Sequence, residues 1–223
     1  MDPVLLVVGD HDPAPLRTVL GDSATVTVAA RPERSELDRA LNSLGGARLV
    51  LAADDAGVGA VVGRLLRRDA LGSTPVALLP VRGPGLLRER LGIPTDLAAA
   101  AKLALTGVPT PQGLVRDDHG GVTLGVSQLV PLTGSTLGML AYVDEDELVN
   151  APVRSLTVTP GPAGLTAAVD LPRRLRRTRT LAGRAVTVSC EEARLLLDGM
   201  PRGQAQTRCT WWFEPDRWQV ITG

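Results

Sequence analysis

The chain has 223 residues, with 24 basic side chains, 24 acidic ones and two histidines. At roughly 100–200 residues per domain this is one large domain or two small ones, long enough to bury a core without covalent staples. The even charge argues against a general nucleic-acid binder, which carries a basic excess, and only two cysteines, Cys190 and Cys209, argue against a disulfide framework.

Both cysteines read as reduced core or strand residues. No apolar run reaches the roughly 18–20 residues of a transmembrane helix. The opening Met1-Asp2-Pro3 lacks the positive segment of a secretory leader, so the cytoplasm is the expected compartment. His11 and His119 lie far apart, no His and Cys spacing matches zinc, and no metal ligand is assigned.

The first half alternates strand and helix signals. Residues 4–8 form an apolar run that ends at Gly9-Asp10, a buried first strand. A second strand, rich in Val and Thr, covers 24–29. A helix follows near Pro32, with Leu37, Leu41 and Leu44 at helical spacing and Gly45-Gly46 as its stop. Residues 49–52 make a third strand. Val58, Val61, Val62, Leu65 and Leu66 mark an amphipathic helix. A fourth strand covers 76–79 and closes at Pro80; short helices follow at 86–91 and 96–105. Strands alternating with helices imply a parallel sheet under covering helices.

Beyond Gly107-Val108-Pro109-Thr110-Pro111 the helical period fades. Turn signals recur at Asp118-His119-Gly120-Gly121, Pro160-Gly161-Pro162, Asp198-Gly199 and Pro215-Asp216. Between them lie Val-, Thr- and Leu-rich runs at 122–129, 139–143, 153–159, 164–170, 184–190, 193–197, 206–213 and 217–221, the pattern of an antiparallel sandwich. His119 and Asp117-Asp118 fall in a hairpin turn and read as surface residues.

Two charge blocks interrupt this half: Asp144-Glu145-Asp146-Glu147, and a basic run of Arg173, Arg174, Arg176, Arg177, Arg179 and Arg184. The run reads as a solvated loop; the functional alternative is a phosphate or anionic-membrane contact, worth about 1 kcal/mol per arginine near an anionic surface. Trp211, Trp212, Phe213 and Trp218 crowd the last strands, where alternation puts some in the core and leaves others outside to rest on a partner.

The stretch from Thr74-Pro75 through Pro80-Val81-Arg82-Gly83-Pro84-Gly85-Leu86 to Leu91-Gly92-Ile93-Pro94 resembles the diacylglycerol kinase family. There a strand ends in Pro-Leu-Gly-Thr-Gly-Asn-Asp and a short helix leads to Leu-Gly-Ile-Pro. Residues 49–66 look like the strand, loop and helix of its Gly-Gly-Asp-Gly-Thr motif, and Leu197-Asp198-Gly199-Met200 looks like its Asp-Gly-Glu turn. NAD kinases share the fold. The resemblance implies a Rossmann-like parallel α/β domain over 1–107, an antiparallel β-sandwich over 108–223, a cleft between them, and transfer of the γ-phosphate of ATP to a lipid hydroxyl with Mg²⁺.

Such chemistry needs backbone N–H groups at a glycine turn to cradle phosphate, and carboxylates to hold magnesium and accept a proton. The first loop reads Ala53-Asp54-Asp55-Ala56-Gly57. Asp55 matches the motif aspartate, while Ala53, Asp54, Ala56 and Gly57 replace its neighbours; Gly57 and Gly59 offer a displaced turn. Asp54 would face phosphate, and two unit charges about 4 Å apart repel by about 4 kcal/mol at an effective dielectric near 20. The alternative is a βα loop ending in an aspartate N-cap.

In the second motif Gly85 and Leu86 stand where asparagine and aspartate belong, and Pro84 removes a donor. Arg82, beside Gly83, supplies a guanidinium able to grip phosphate bidentately, unless it is a solvated loop arginine. The third motif keeps Asp198, the general base implied by the resemblance, and has Met200 for glutamate; Asp198-Gly199 is equally a type I′ hairpin turn.

The nucleotide-site residues are thus Asp55, Gly57, Gly59, Arg82 and Gly83, with Asp198 as base. The reading is a non-catalytic binding or regulatory module with eroded kinase motifs. Its alternatives are an active lipid kinase using ATP and Mg²⁺, and a scaffold without a small-molecule ligand. The expected partners are a lipid or a nucleotide, an anionic membrane surface and a second copy of the chain, but no nucleic acid.

Overall fold

The computed structural model describes residues 3–21, 23–42, 47–81, 85–172 and 178–223. Gly45-Gly46, Arg82, Gly83, Pro84 and the arginines at 173, 174, 176 and 177 lie outside the described residues. The chain falls into two compact units, 1–112 with 216–223, and 113–215. The last eight residues thus return to the first unit.

The first unit runs β1 (Val4–Val8), α1 (Pro13–Leu20), β2 (Ala24–Val28), α2 (Arg34–Asn42), β3 (Leu49–Ala52), α3 (Asp55–Arg67), β4 (Val76–Leu79), α4 (Leu86–Arg90) and α5 (Leu97–Thr106). Its strands pair in parallel in the order β2-β1-β3-β4. Every residue of β1, β3 and β4 is buried, which is why they read as unbroken apolar runs rather than alternating ones.

Helix α1 is not foreseen from the sequence. Pro13 and Pro15 both sit in its first turn, where a missing N–H costs nothing. Leu16 and Leu20, one turn apart, then bury the helix. Helix α1 packs on α5, and α2 packs on α3. Arg64 of α3 donates to Asp38 of α2 (Nε–Oδ1 2.7 Å), and this hydrogen bond is the main reason the Asp38 carboxyl titrates below its ordinary value. Arg48 closes the far end of α5 by donating to the carbonyls of Ala104, Leu105 and Gly107.

The remaining strands are β5 (Pro109–Asp117), β6 (Val122–Thr123), β7 (Ser127–Pro131), β8 (Leu137–Val143), β9 (Asp146–Val153), β10 (Ser155–Pro160), β11 (Leu165–Asp170), β12 (Thr178–Gly183), β13 (Ala185–Leu197) and β14 (Met200–Ile221). The pairs β5-β6, β7-β10, β7-β13, β8-β9, β8-β13, β10-β11, β11-β12 and β13-β14 are all antiparallel, as expected.

Strand β13 makes the two layers. Val186–Cys190 pair with β8, whereas Ala193–Leu197 pair with β7. Between these halves its register against β14 shifts, so the strand bends from one sheet into the other. One layer continues through β8 to β9, the other through β7, β10 and β11 to β12, and β9 packs on β11 and β12. Leu129, Val158, Val188, Leu195, Trp211 and Phe213 fill the space between them.

The structure corrects several sequence expectations. The runs at 184–190 and 193–197 are one strand, as are those at 206–213 and 217–221. Pro215-Asp216 is not a turn: the strand continues through Asp216 at φ 52°. Part of the acidic block is a two-residue turn between β8 and β9, where Asp144 accepts hydrogen bonds from the Arg184 and Ala185 amides (3.0 and 2.9 Å). Asp117 is no surface residue; it is 1 % exposed.

Candidate functional site

In an open parallel sheet, ligands bind beyond the carboxyl ends of the strands, where the connections diverge to opposite faces. That place in the first unit is between β1 and β3, since β2 lies on one side of β1 and β3 on the other. The loops leaving β1, β3 and β4 border it. A cavity of about 390 Å³ opens here, lined by Asp10, His11, Asp12, Pro80, Val81 and Leu97 among others. Its described lining contains two carboxylates and no arginine or lysine.

Four helices point their N-termini at this edge, and such termini attract anions through unsatisfied N–H groups and the helix dipole. In this chain each terminus already has an anion of its own. Asp12 Oδ1 accepts from the Ala14 amide on α1 at 2.9 Å. Asp54 Oδ1 accepts from Gly57 on α3 at 2.7 Å. Asp96 Oδ1 accepts from Ala99 on α5 at 2.8 Å. Helix α4 has no side-chain cap from Gly85, and Asp55 Oδ2 instead reaches across to its Leu87 amide at 3.2 Å.

The site residues read from the sequence therefore take specific places. Asp54 is the N-cap, at φ −71° and ψ 172°. Asp55, Gly57 and Gly59 share the first turns of α3. Asp55 braces α4. Gly57 is buried for packing: a Cβ there would lie 3.0 Å from Ala53 Cβ and 3.1 Å from Val8 Cγ1. Its amide, the natural phosphate donor, is taken by Asp54. Arg82 and Gly83 lie outside the described residues.

Sequence reasoning misses Arg88, yet its guanidinium bridges the edge, donating to the carbonyls of Ala53 (3.4 Å) and Val81 (3.3 Å). Its position on a five-residue helix, rather than on a motif, hides it. Asp12 and Asp96 are missed as well. Their signal is legible, since an aspartate just before Pro-Ala-Pro or Leu-Ala-Ala is an N-cap pattern.

Asp198 belongs to the second unit, between β13 and β14. Asp198 and Gly199 both have positive φ, 48° and 82°, as a type I′ turn requires. Leu197 and Met200 close the hairpin as a pair. The Asp198 carboxylate turns back onto the chain: Oδ1 accepts from the Gly125 and Val126 amides at 3.0 and 2.7 Å, and its own amide donates to the Val126 carbonyl.

Neither cysteine is an activated nucleophile. Burial first, then the charge of Glu191, pushes the Cys190 thiol up; burial, then Asp118 and Asp117, pushes Cys209 far above its ordinary range.

The N-cap role of Asp54 has a direct consequence. Asp54→Ala should lower the unfolding free energy by about 1 kcal/mol, and Asp54→Ser should restore most of it, because serine caps equally well. Urea denaturation of the three proteins measures this.

No family model matches the chain, and no curated protein matches it in sequence. Solved structures do match in shape. A diacylglycerol kinase from Bacillus anthracis str. Sterne superposes with a TM-score of 0.76 at 13% identity, covering 100% of this chain and 97% of that one. A putative diacylglycerol kinase from the same organism gives 0.76 at 15% identity with the same coverage. An NAD kinase from Archaeoglobus fulgidus, solved in complex with ATP, gives 0.68 at 12% identity, covering 99% and 93%. The chain therefore has the fold of diacylglycerol kinases and NAD kinases, as its motif resemblance implied, with a parallel α/β part and an antiparallel β part.

Proposed function

We propose that this chain is a non-catalytic relative of the lipid and NAD kinases, a binding or regulatory module that keeps their fold without gripping a triphosphate. One observation carries the reading: at the edge where such a fold meets phosphate, an amide at each of four helix N-termini is taken by Asp12, Asp54, Asp55 or Asp96. A phosphate entering there meets carboxylates where it needs free amides. At about 4 Å each such encounter costs about 4 kcal/mol at an effective dielectric near 20, roughly a thousandfold in affinity.

The residues present do not fit ATP. Arg88, the described cation at this edge, already donates to two carbonyls. Gly85 and Leu86 supply no polar side chain where the second motif needs two, and Leu86 points its apolar side chain outward, 54% exposed. Asp198, the residue aligned with a general base, holds two backbone amides.

The rival reading, an active lipid kinase using ATP and magnesium, draws on the full-length match to kinase structures, one of them solved with ATP. Two measurements on the purified chain decide between them. Thermal denaturation with millimolar Mg-ATP should show no stabilisation, and labelled γ-phosphate should not reach diacylglycerol. A ligand held at micromolar Kd would add about 4 kcal/mol of stability at a thousandfold excess, so a clear rise in Tm would sink the proposal. Transfer of label would establish the kinase.

Contact with an anionic membrane is a separate proposal. Of the arginines it invokes, Arg179 and Arg184 are described and exposed, and Arg179 stands on β12, the end strand of its sheet. Co-sedimentation with phosphatidylserine vesicles, weakened by salt, is the expected result.

A further inference from the structure

Asp118 and His119 form the turn after β5, and Cys209 lies on β14, some ninety positions later in the chain. The fold brings them together. The Asp118 amide donates to the Thr210 carbonyl, and the Thr210 amide donates to Asp118 Oδ1 at 3.1 Å. One carboxylate oxygen, one imidazole nitrogen and the Cys209 sulfur all come within 4.8 Å of one another. His119 Nε2 is 3.4 Å from Asp118 Oδ1 and 3.1 Å from the Arg208 carbonyl oxygen.

The 3.4 Å between Asp118 and His119 is a spacing of ligands around one ion, and the Cys209 sulfur lies near enough for a small side-chain shift to complete the set. Four donors at about 2.0–2.3 Å from a tetrahedral metal stand about 3.3–3.8 Å apart. The donor set is also selective. Thiolate and imidazole favour zinc-like ions, whereas magnesium and calcium take oxygen.

A second observation is independent of the three ligands. Asp117, the next residue back, is 1 % exposed, and its Oδ1 accepts from the His119 and Gly121 amides. Its Oδ2 is buried without any hydrogen-bond partner. Among the described residues neither Asp117 nor Asp118 is paired with an arginine or lysine. A buried carboxylate left uncompensated is costly, and a dication held by the next two residues offsets its charge.

We propose that Asp118, His119 and Cys209 bind one divalent ion of the zinc class, fastening the turn after β5 to β14. On binding, the Cys209 thiol gives its proton to solvent. His119 carries its remaining proton on Nδ1 and presents the Nε2 lone pair to the ion. The Arg208 carbonyl or a water takes the fourth place, since Asp118 and His119 are open to solvent. The site lies wholly within the second unit and does not depend on the kinase reading.

The test uses the full chain, stripped with a chelator and titrated with Zn²⁺ and, as a spectroscopic probe, Co²⁺. Wild type should take up one ion per chain, gain thermal stability, and show a thiolate-to-cobalt charge-transfer band. Cys209→Ser should abolish the band. His119 is exposed, so His119→Ala should fold normally while binding Co²⁺ at least about 10–100-fold more weakly, the loss that even an outer-shell partner costs. Folded wild type that shows no thiolate band overturns the proposal, as does His119→Ala binding as tightly as wild type.

Discussion

Trp211→Ala should lower the unfolding free energy by about 3–5 kcal/mol, the range for truncating a buried large aromatic. Trp211 is 0% exposed and sits between the layers of the second unit with Phe213 and Leu129. Its indole Nε1 donates to Ser127 Oγ at 3.1 Å, and Ser127 is itself fully buried. Alanine therefore opens a cavity and also strands a buried hydroxyl, which by itself costs about 1–3 kcal/mol. Trp211→Phe separates the two effects, since it keeps much of the ring and loses the donor; about 1–3 kcal/mol is expected.

Trp212 is the internal control. It faces the other way on the same strand, half-buried, with the Arg116 guanidinium 5.4 Å above its ring and its Nε1 donating to Glu214 Oε1. Trp212→Ala should cost about 1 kcal/mol or less, the scale of an exposed cation–π contact. Urea denaturation, with near-UV dichroism as a second probe, reads all three variants. For a domain of ordinary stability, about 5–15 kcal/mol in total, the Trp211 loss is a large fraction, and a loss like that of Trp212 would mean the core is misassigned.

The same alternation explains how much of the fold is legible in the sequence. Strands β1, β3 and β4 read at their true bounds because burial on both faces makes them uniformly apolar. Strands buried on one face leave the period-two pattern instead, as β8, β10 and β11 do. What stays hidden is the polar or punctuated strand. Strand β12 is mostly exposed, β9 begins with two acids, and β5 carries Pro109 and Pro111. Neither β9 nor β12 needs a strong signal, because partners with clear patterns set their register.

The candidate site divides in the same way. Short-range chemistry is readable: the N-cap alternative for Asp54 and the type I′ alternative for Asp198-Gly199 both follow from adjacent residues, and both describe what those residues do. Long-range chemistry is not. Nothing in the spacing of Asp118, His119 and Cys209 signals a cluster, since only the pairing of β5 with β14 makes them neighbours. Asp55 falls between, because its contact with Leu87 joins the first turns of two helices whose proximity depends on β3 lying beside β4.

Asp198 yields the second large effect, and the choice of substitution makes it diagnostic. Asp198→Ala should lower stability by about 2–4 kcal/mol. It removes the acceptor for the Gly125 and Val126 amides, and hydrogen bonds to a charged group are worth about 1.5–3 kcal/mol. It also leaves a β-carbon at φ 48° without the local hydrogen bonding that lets aspartate and asparagine adopt this region. Asp198→Asn keeps an acceptor oxygen and tolerates the turn, so its cost should stay near 1 kcal/mol.

A catalytic base behaves in the opposite order. For a base, asparagine already removes all proton-accepting power, and the carboxylate's loss appears in turnover rather than in folding. Comparing the two variants by denaturation, alongside a phosphoryl-transfer assay of wild type, therefore tests the role of the residue whatever the substrate is. Equal and negligible stability losses in both variants would show that Asp198 does not hold the turn. The carboxylate would then be available for chemistry, and the case for a silent active site would lose one of its supports.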